Sequence, residues 1–203
     1  NDVDPDGDDP LATIVTPPQH AQAFYLGEDG SFTYAPIADW SGIDAFEYFA
    51  ASSDGTTLPV TVTIYVGPRN DAPTADIAAP NYDVNEQESL ALQNTGLQIG
   101  DLDGGELAAT ATLAVDYGVL TADIGTLSGV AISGSGSSVL TLQGSVDDIN
   151  LLLAGSGGAW IHYLADGDNP PSQSTLTLTV NDLANGGPDE LTASATATIT
   201  ISG

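Results

Sequence analysis

The chain has 203 residues, 41% of them hydrophobic, and carries 28 Asp and Glu against one basic residue, Arg69, for a formal net charge of -27. The hydrophobic share supports a packed core and argues against disorder, and the length suits one large β domain or two of ordinary size. The charge excludes nucleic acid and anionic membrane surfaces as partners, because both are held through clustered Lys and Arg.

The chain opens on Asn1-Asp-Val-Asp-Pro-Asp-Gly7, which sets Asp2, Asp4 and Asp6 at alternate positions before a glycine. Strands are expected at 11–15, 21–26, 31–35 and 46–50, separated by turn residues at 27–30 and at Asp54-Gly55. From Val60 to Val66 the alternation is strict. Val60, Val62, Ile64 and Val66 interleave with Thr61, Thr63 and Tyr65, the pattern of a strand with one buried face. Gly67-Pro-Arg-Asn-Asp-Ala-Pro-Thr74 follows, and its two prolines make a short stiff connector. Further strands are expected at 107–115, 139–142, 160–164, 176–180 and 197–201, with threonine at many of the outward positions. One stretch, Ser145 to Leu153, reads as a helix. Ser145 is placed to cap it, Asp147 and Asp148 suit its N-terminal end, and Val146, Ile149 and Leu153 form an apolar stripe. The reading is therefore all-β, with two tandem sandwich modules over residues 1–70 and 71–203, the second with one short helix.

A chain this acidic repels itself unless salt screens it or cations bind it. Many of its Asp sit in short clusters with Gly, Asn and Pro, a placement that favours cation sites over an evenly solvated acidic surface. Cysteine is absent, so no disulfide can staple the fold, and bound metal is the natural substitute. Calcium takes six to eight oxygens from carboxylates, carbonyls and Asn side chains. Asp2, Asp4, Asp6 and Gly7 match the start of a calcium loop. Thr13 stands where an EF-hand places its bidentate Glu, and Pro5 and Pro10 exclude flanking helices, so the loop belongs on a β scaffold. A solvated acidic loop is the alternative. Asp182 beside Asn181, Asp189, and the pair Asp166 and Asp168 are further candidates.

The segments Asn1 to Asp8, Asp29-Gly-Ser-Phe-Thr-Tyr-Ala-Pro36, Trp40-Ser-Gly-Ile-Asp-Ala-Phe-Glu-Tyr48 and Asn70-Asp-Ala-Pro73 resemble the cadherin-like, Ig-like tandem repeats of bacterial RTX-type surface adhesins. Val84-Asn-Glu86, Ile99-Gly-Asp-Leu-Asp-Gly-Gly105, Asp147-Asp-Ile-Asn150 and Val180-Asn-Asp182 resemble a longer relative of the same group. The resemblance implies a secreted, calcium-dependent protein of the bacterial cell surface and a role in cell adhesion and biofilm. Most such repeats are spacers that neighbour one another along the chain, while other domains grip host or biofilm ligands. It further implies a calcium site at the module junction from Asn70, Asp71, Asp101 and Asp103, with Glu86 serving either there or at the far end of the module, and Asp182 as a strand-end acid. Relatives begin with a strand before their first acidic loop, and the first module shows none there.

Catalysis finds little support. Cysteine and lysine are missing, His20 and His162 are the two imidazoles, and neither sits in a nucleophile or metal motif. The expectation is a non-enzymatic extender. A ligand- or glycan-binding module, with Trp40, Trp160, Tyr82, Tyr117 and Tyr163 as stacking faces, is the alternative.

Overall fold

The computed structural model describes residues 10–53, 55–104, 106–185 and 189–203. Asp2, Asp4 and Asp6 lie outside the described residues, as does Asp54 of an expected turn. The chain divides into two compact units, Asn1–Arg69 and Asn70–Gly203. Among the described residues no helix is long and apolar enough to cross a membrane.

The first unit contains β1 (Leu11–Thr16), β2 (Ala21–Leu26), β3 (Phe32–Pro36), β4 (Gly42–Ser52), β5 (Gly55–Thr56) and β6 (Val60–Val66). The long β4 is its spine. It pairs antiparallel with β1 along one edge, and along the other with β6 and then β5. β2 and β3 form a separate hairpin. Its turn closes where the Gly27 N–H donates to the Ser31 carbonyl at 2.7 Å, with Gly30 at φ 79°, a left-handed conformation that glycine adopts without strain. Phe46 of β4 lies under this hairpin, with ring centroids 4.9 Å from Phe24 and 5.0 Å from Phe32. Among the described apolar residues of this unit, only Phe46 and Ala50 are fully buried.

The second unit is larger and better covered. It contains β7 (Thr74–Ile77), β8 (Asn81–Asn85), β9 (Ser89–Ala91), β10 (Leu97–Gly100), β11 (Ala108–Val115), β12 (Val119–Asp123), β13 (Val130–Ser133), β14 (Val139–Ser145), α1 (Val146–Leu153), β15 (Trp160–Leu164), β16 (Gln173–Asn181) and β17 (Thr192–Ser202). One sheet runs β13-β14-β11-β16-β17-β8, and two smaller ones run β12-β15-β9 and β10-β7. The β8–β17 pairing is parallel, from Asn81 opposite Thr198 to Asn85 opposite Ser202. Inward residues of all three sheets share one core, including Ile77, Tyr82, Ile99, Leu113, Leu142, Ile161 and Ile199. This is the layered all-β architecture that alternating strands demand, since each sheet must bury its apolar face against another.

The helix forms where its sequence signals place it. The Ser145 hydroxyl accepts from the Asp148 N–H at 3.0 Å, and Val146, Ile149, Leu152 and Leu153 are buried. It also seals a strand. The Asn150 side chain accepts from the Ile99 N–H at 3.0 Å and donates to the Ile99 carbonyl at 2.8 Å, replacing the ladder partner that β10 lacks on that side.

Candidate functional site: an acidic cluster at one end of the second unit

The β10–β7 pairing sets Gly100 opposite Thr74, so the residues before β7 and those after β10 emerge side by side. Asn70 and Asp71 precede β7, while Asp101 and Asp103 follow β10. Asp182 arrives from the end of β16. The structure joins them by hydrogen bonds. The Asp71 N–H donates to Asp103 Oδ2 at 2.8 Å, and the Asp103 N–H donates to Asp101 Oδ1 at 2.9 Å. Asn70 Nδ2 donates to Asp182 Oδ2 at 2.7 Å and to the Asp189 carbonyl at 3.0 Å.

Asp182 is the anchor. It is fully buried, and its Oδ1 accepts from the backbone N–H groups of Ala184 and Leu191 at 2.9 and 2.8 Å. Burial works against its charge, yet the bonds from Leu191, Ala184 and Asn70 outweigh burial and hold the carboxyl below the usual carboxylate range. Asp101 goes the other way. Burial, with the charges of Asp103, Asp182 and Asp71, pushes its carboxyl up despite the Asp103 N–H. Two buried oxygens here, Asn70 Oδ1 and Asp101 Oδ2, have no hydrogen-bond partner. Both are acceptors, and such atoms rarely stay unpaired in native proteins.

The chemistry of this set, an amide oxygen among carboxylates, is that of a hard cation site. The geometry is not a closed cage: among the described residues no group of three or more His, Asp or Glu is disposed to hold a metal ion. Direct bonds from Asn70 and Asp71 stand between the acids instead.

Glu86 lies elsewhere. Its N–H donates to the Ser202 carbonyl at the C-terminal end of β17, whereas Asp182 bonds Leu191 just before the other end. Eleven residues of extended β17 put roughly 35 Å between those ends. Asp168 is near Glu86, since Gln87 Nε2 donates to Asp168 Oδ1 at 3.1 Å.

The first unit holds a buried carboxylate that the sequence reading did not single out. Asp44, in β4, is 4% exposed. It accepts from the backbone N–H groups of Gln19, His20 and Ala45 at 2.8 to 3.0 Å, and from the Tyr34 hydroxyl at 3.1 Å. Burial opposes its ionisation, but those four donors prevail and hold it from the ordinary 3.8 down to about 2. His20 covers it, with Nδ1 3.8 Å away and the ring stacked on Trp40 at 4.2 Å. The role is structural, because Asp44 ties the turn before β2 to the spine of the sheet. A signal was present: Asp44 and Phe46 are two apart on one strand and so share a face. A carboxyl with a depressed pKa stabilises the fold above its unfolded pKa and ceases to do so as pH falls through its folded one. The first unit is therefore expected to weaken between about pH 4 and pH 2. Asp44→Asn should weaken it at neutral pH, since one oxygen becomes a donor facing N–H groups, and should flatten that acid transition. Acid titration followed by the Trp40 signal checks both, and an unchanged transition in the variant would refute the assignment.

Comparison with known families now places the first unit. Residues 1–65 match the model of the bacterial Ig domain. Solved structures are similar to the chain in fold. A fragment of Drosophila N-cadherin, EC1-4, aligns with a TM-score of 0.51 at 15% identity, covering 96% of this chain and 41% of the fragment. Human mucin-like protocadherin EC1-2 aligns with a TM-score of 0.46 at 16% identity, covering 99% of this chain and 90% of that one. At such identities the likeness is one of fold, and this chain spans less than half of the N-cadherin fragment. Comparison with curated proteins gives no match.

Proposed function

We propose that the chain is a calcium-binding structural extender from a large, secreted bacterial surface adhesin, and that Asn70, Asp71, Asp101, Asp103 and Asp182 supply oxygen ligands at the start of the second unit. The observation that carries this reading is the pair of buried, unpartnered acceptors, Asn70 Oδ1 and Asp101 Oδ2, among three further carboxylates. Hydrogen-bond donors do not reach them, and a cation satisfies both while offsetting the burial and the neighbouring charges that raise the Asp101 pKa. Asp2, Asp4 and Asp6 are proposed as a second site. Glu86 is proposed for the opposite end of the second unit, with Asp168 near it. Neighbouring repeats of the parent chain are the proposed partners, and other domains would hold host or biofilm ligands.

The Ig-like fold with adhesion-type neighbours supports a structural role over a catalytic one. His20 is packed on Trp40, and His162 lies against Trp160 with ring centroids 4.8 Å apart.

Melting the full chain at fixed ionic strength, with calcium, with magnesium and with EDTA, tests the proposal. Calcium at a hundred times its Kd is expected to stabilise the second unit by about 2.7 kcal/mol. Asp101→Asn should remove most of that gain while relieving repulsion in the metal-free protein. Identical melting in calcium and EDTA would overturn the reading.

A further inference from the structure

Acidic residues are unevenly placed in the second unit. The adjoining strands β13, β14, β11, β16 and β17 contain no charged residue, although the chain carries 28 Asp and Glu. They contain no aromatic residue either. Acids appear at the margins of their outer face: Asp83 on β8, Asp116 just past β11, and Glu190, which accepts from Asn181 Nδ2 at 2.9 Å. Strand propensity favours threonine and disfavours aspartate. Yet Asp44, Asp76, Asp83 and Asp123 lie in other strands of this chain, so propensity does not account for the uncharged face.

Hydroxyl groups fill that face instead. The register sets Thr141, Thr112, Thr179 and Ser194 side by side across four strands. Thr177 and Thr196 form the next row, and Thr175 and Thr198 the one beyond. All are at least partly exposed, while Leu113, Leu142, Leu178 and Ile199 at alternate positions are buried. Neighbours in a row lie about 4.8 Å apart, and rows about 6.8 Å apart along the strands. None of these hydroxyls bonds another described residue. Threonines elsewhere do: Thr16 donates to Glu47 Oε2, Thr95 to the Leu92 carbonyl and Thr126 to the Gly157 carbonyl.

We propose that the outer face of β14, β11, β16 and β17 binds single chains of a neutral polysaccharide. Charge selects the class. An anionic polymer or a second copy is repelled by a chain of net charge -27, and a polycation is drawn to the acids outside the face. A neutral polyol meets neither effect. Each threonine hydroxyl both donates and accepts, as a sugar hydroxyl does, so the two arrays can satisfy each other. Threonine methyl groups meet the C–H surfaces of the sugars. Sheet twist rotates each strand by about 20–25° from the last, which suits a flexible single chain and misfits a flat crystalline surface. With no aromatic ring to stack on, each sugar is held weakly, and affinity comes from many hydroxyls engaged along one polymer. This inference goes beyond the calcium reading and does not depend on it.

Titration of the full chain, followed residue by residue through its amide NMR signals, provides the test. The probes are dextran, laminarin and galactomannan, three soluble neutral polysaccharides. At least one should shift amide signals of β11, β16 and β17, equally at about 0.05 M and 0.5 M sodium chloride, because screening does not act on an uncharged ligand. Carboxymethylation of the polymer that binds should abolish the shifts. A variant with Thr112→Val, Thr177→Val and Thr179→Val keeps the branched, strand-favouring shape and removes three hydroxyls. Each lost bond is worth about two- to tenfold, so its binding should weaken by about tenfold or more. Four results would overturn the proposal: no shift with any of the three polymers; shifts confined to other strands; unchanged affinity in the valine variant; or shifts on this face that grow with protein concentration alone, which would make a second copy the occupant.

Discussion

Replacing Asp182 with alanine is expected to cost the second unit about 3–5 kcal/mol, because three donors lose their acceptor in one change. The Ala184 and Leu191 N–H groups and the Asn70 amide all converge on this one carboxylate. Water cannot easily replace it, since Asp182 is fully buried. One term opposes the loss: removing a negative charge beside Asp101 eases the repulsion that raises the Asp101 carboxyl. That term is smaller, because it acts through space while the other breaks bonds. Asp182→Asn keeps one oxygen and should fall between alanine and wild type. The pH dependence has a definite sign. The Asp182 carboxyl is held low, so its stabilisation is present above the ordinary carboxylate range and disappears as pH falls below it. Denaturation by urea, followed through amide signals of β16 and β17, measures all of this, and a loss below about 1 kcal/mol for the alanine variant, the worth of a single net hydrogen bond, would mean that Asp182 is not the anchor described.

The second large effect falls on the first unit. Phe46→Ala removes the one large apolar side chain that is fully buried there among the described residues, together with ring contacts to Phe24, Phe32 and Tyr48. Truncating a buried Phe typically costs about 3–5 kcal/mol, and whole domains are stable by only about 5–15 kcal/mol. A unit whose described core is otherwise Ala50 has little left after that loss. The variant is expected to unfold its first unit at room temperature and leave the second intact. Trp40 and Trp160 belong to different units, so fluorescence and amide spectra report on each separately. Survival of the first unit with an unchanged midpoint would show that its stability comes from elsewhere.

What the sequence discloses depends on how much of each element it encodes locally. The strands at 60–66 and 160–164 are legible residue by residue, because alternation over five to seven positions has no rival reading. The helix is legible from its cap and stripe. By contrast β7, β9, β10 and β13 are only three or four residues long, so no local period identifies them. The expected burial of one face of β6 is corrected at Val60, whose exposure follows from what covers the strand and not from its own pattern. The family resemblance implies that Asp101 and Asp103 act together. Spacing is silent about Glu86, because a separation of 15 residues says nothing about which end of a sheet a residue reaches. The parallel β8–β17 pairing decides that. Asp44 is hard to read for another reason: it shares a face with Phe46, yet aspartate reads as solvent-facing, and only the four donors brought to it by folding make burial tolerable.

The parallel pairing of β8 with β17 has a mechanical meaning as well. The second unit's polypeptide enters near Asp182 and reaches Ser202 at the opposite end of the long strand, so tension between those points pulls β8 and β17 past each other along their length. The ladder from Asn81–Thr198 to Asn85–Ser202 is then loaded in shear, and its hydrogen bonds must yield together. A hairpin pulled from its open end gives way one bond at a time, like a zip. The arrangement that merely closes a sheet at rest becomes, under load, the clamp that keeps the unit from lengthening.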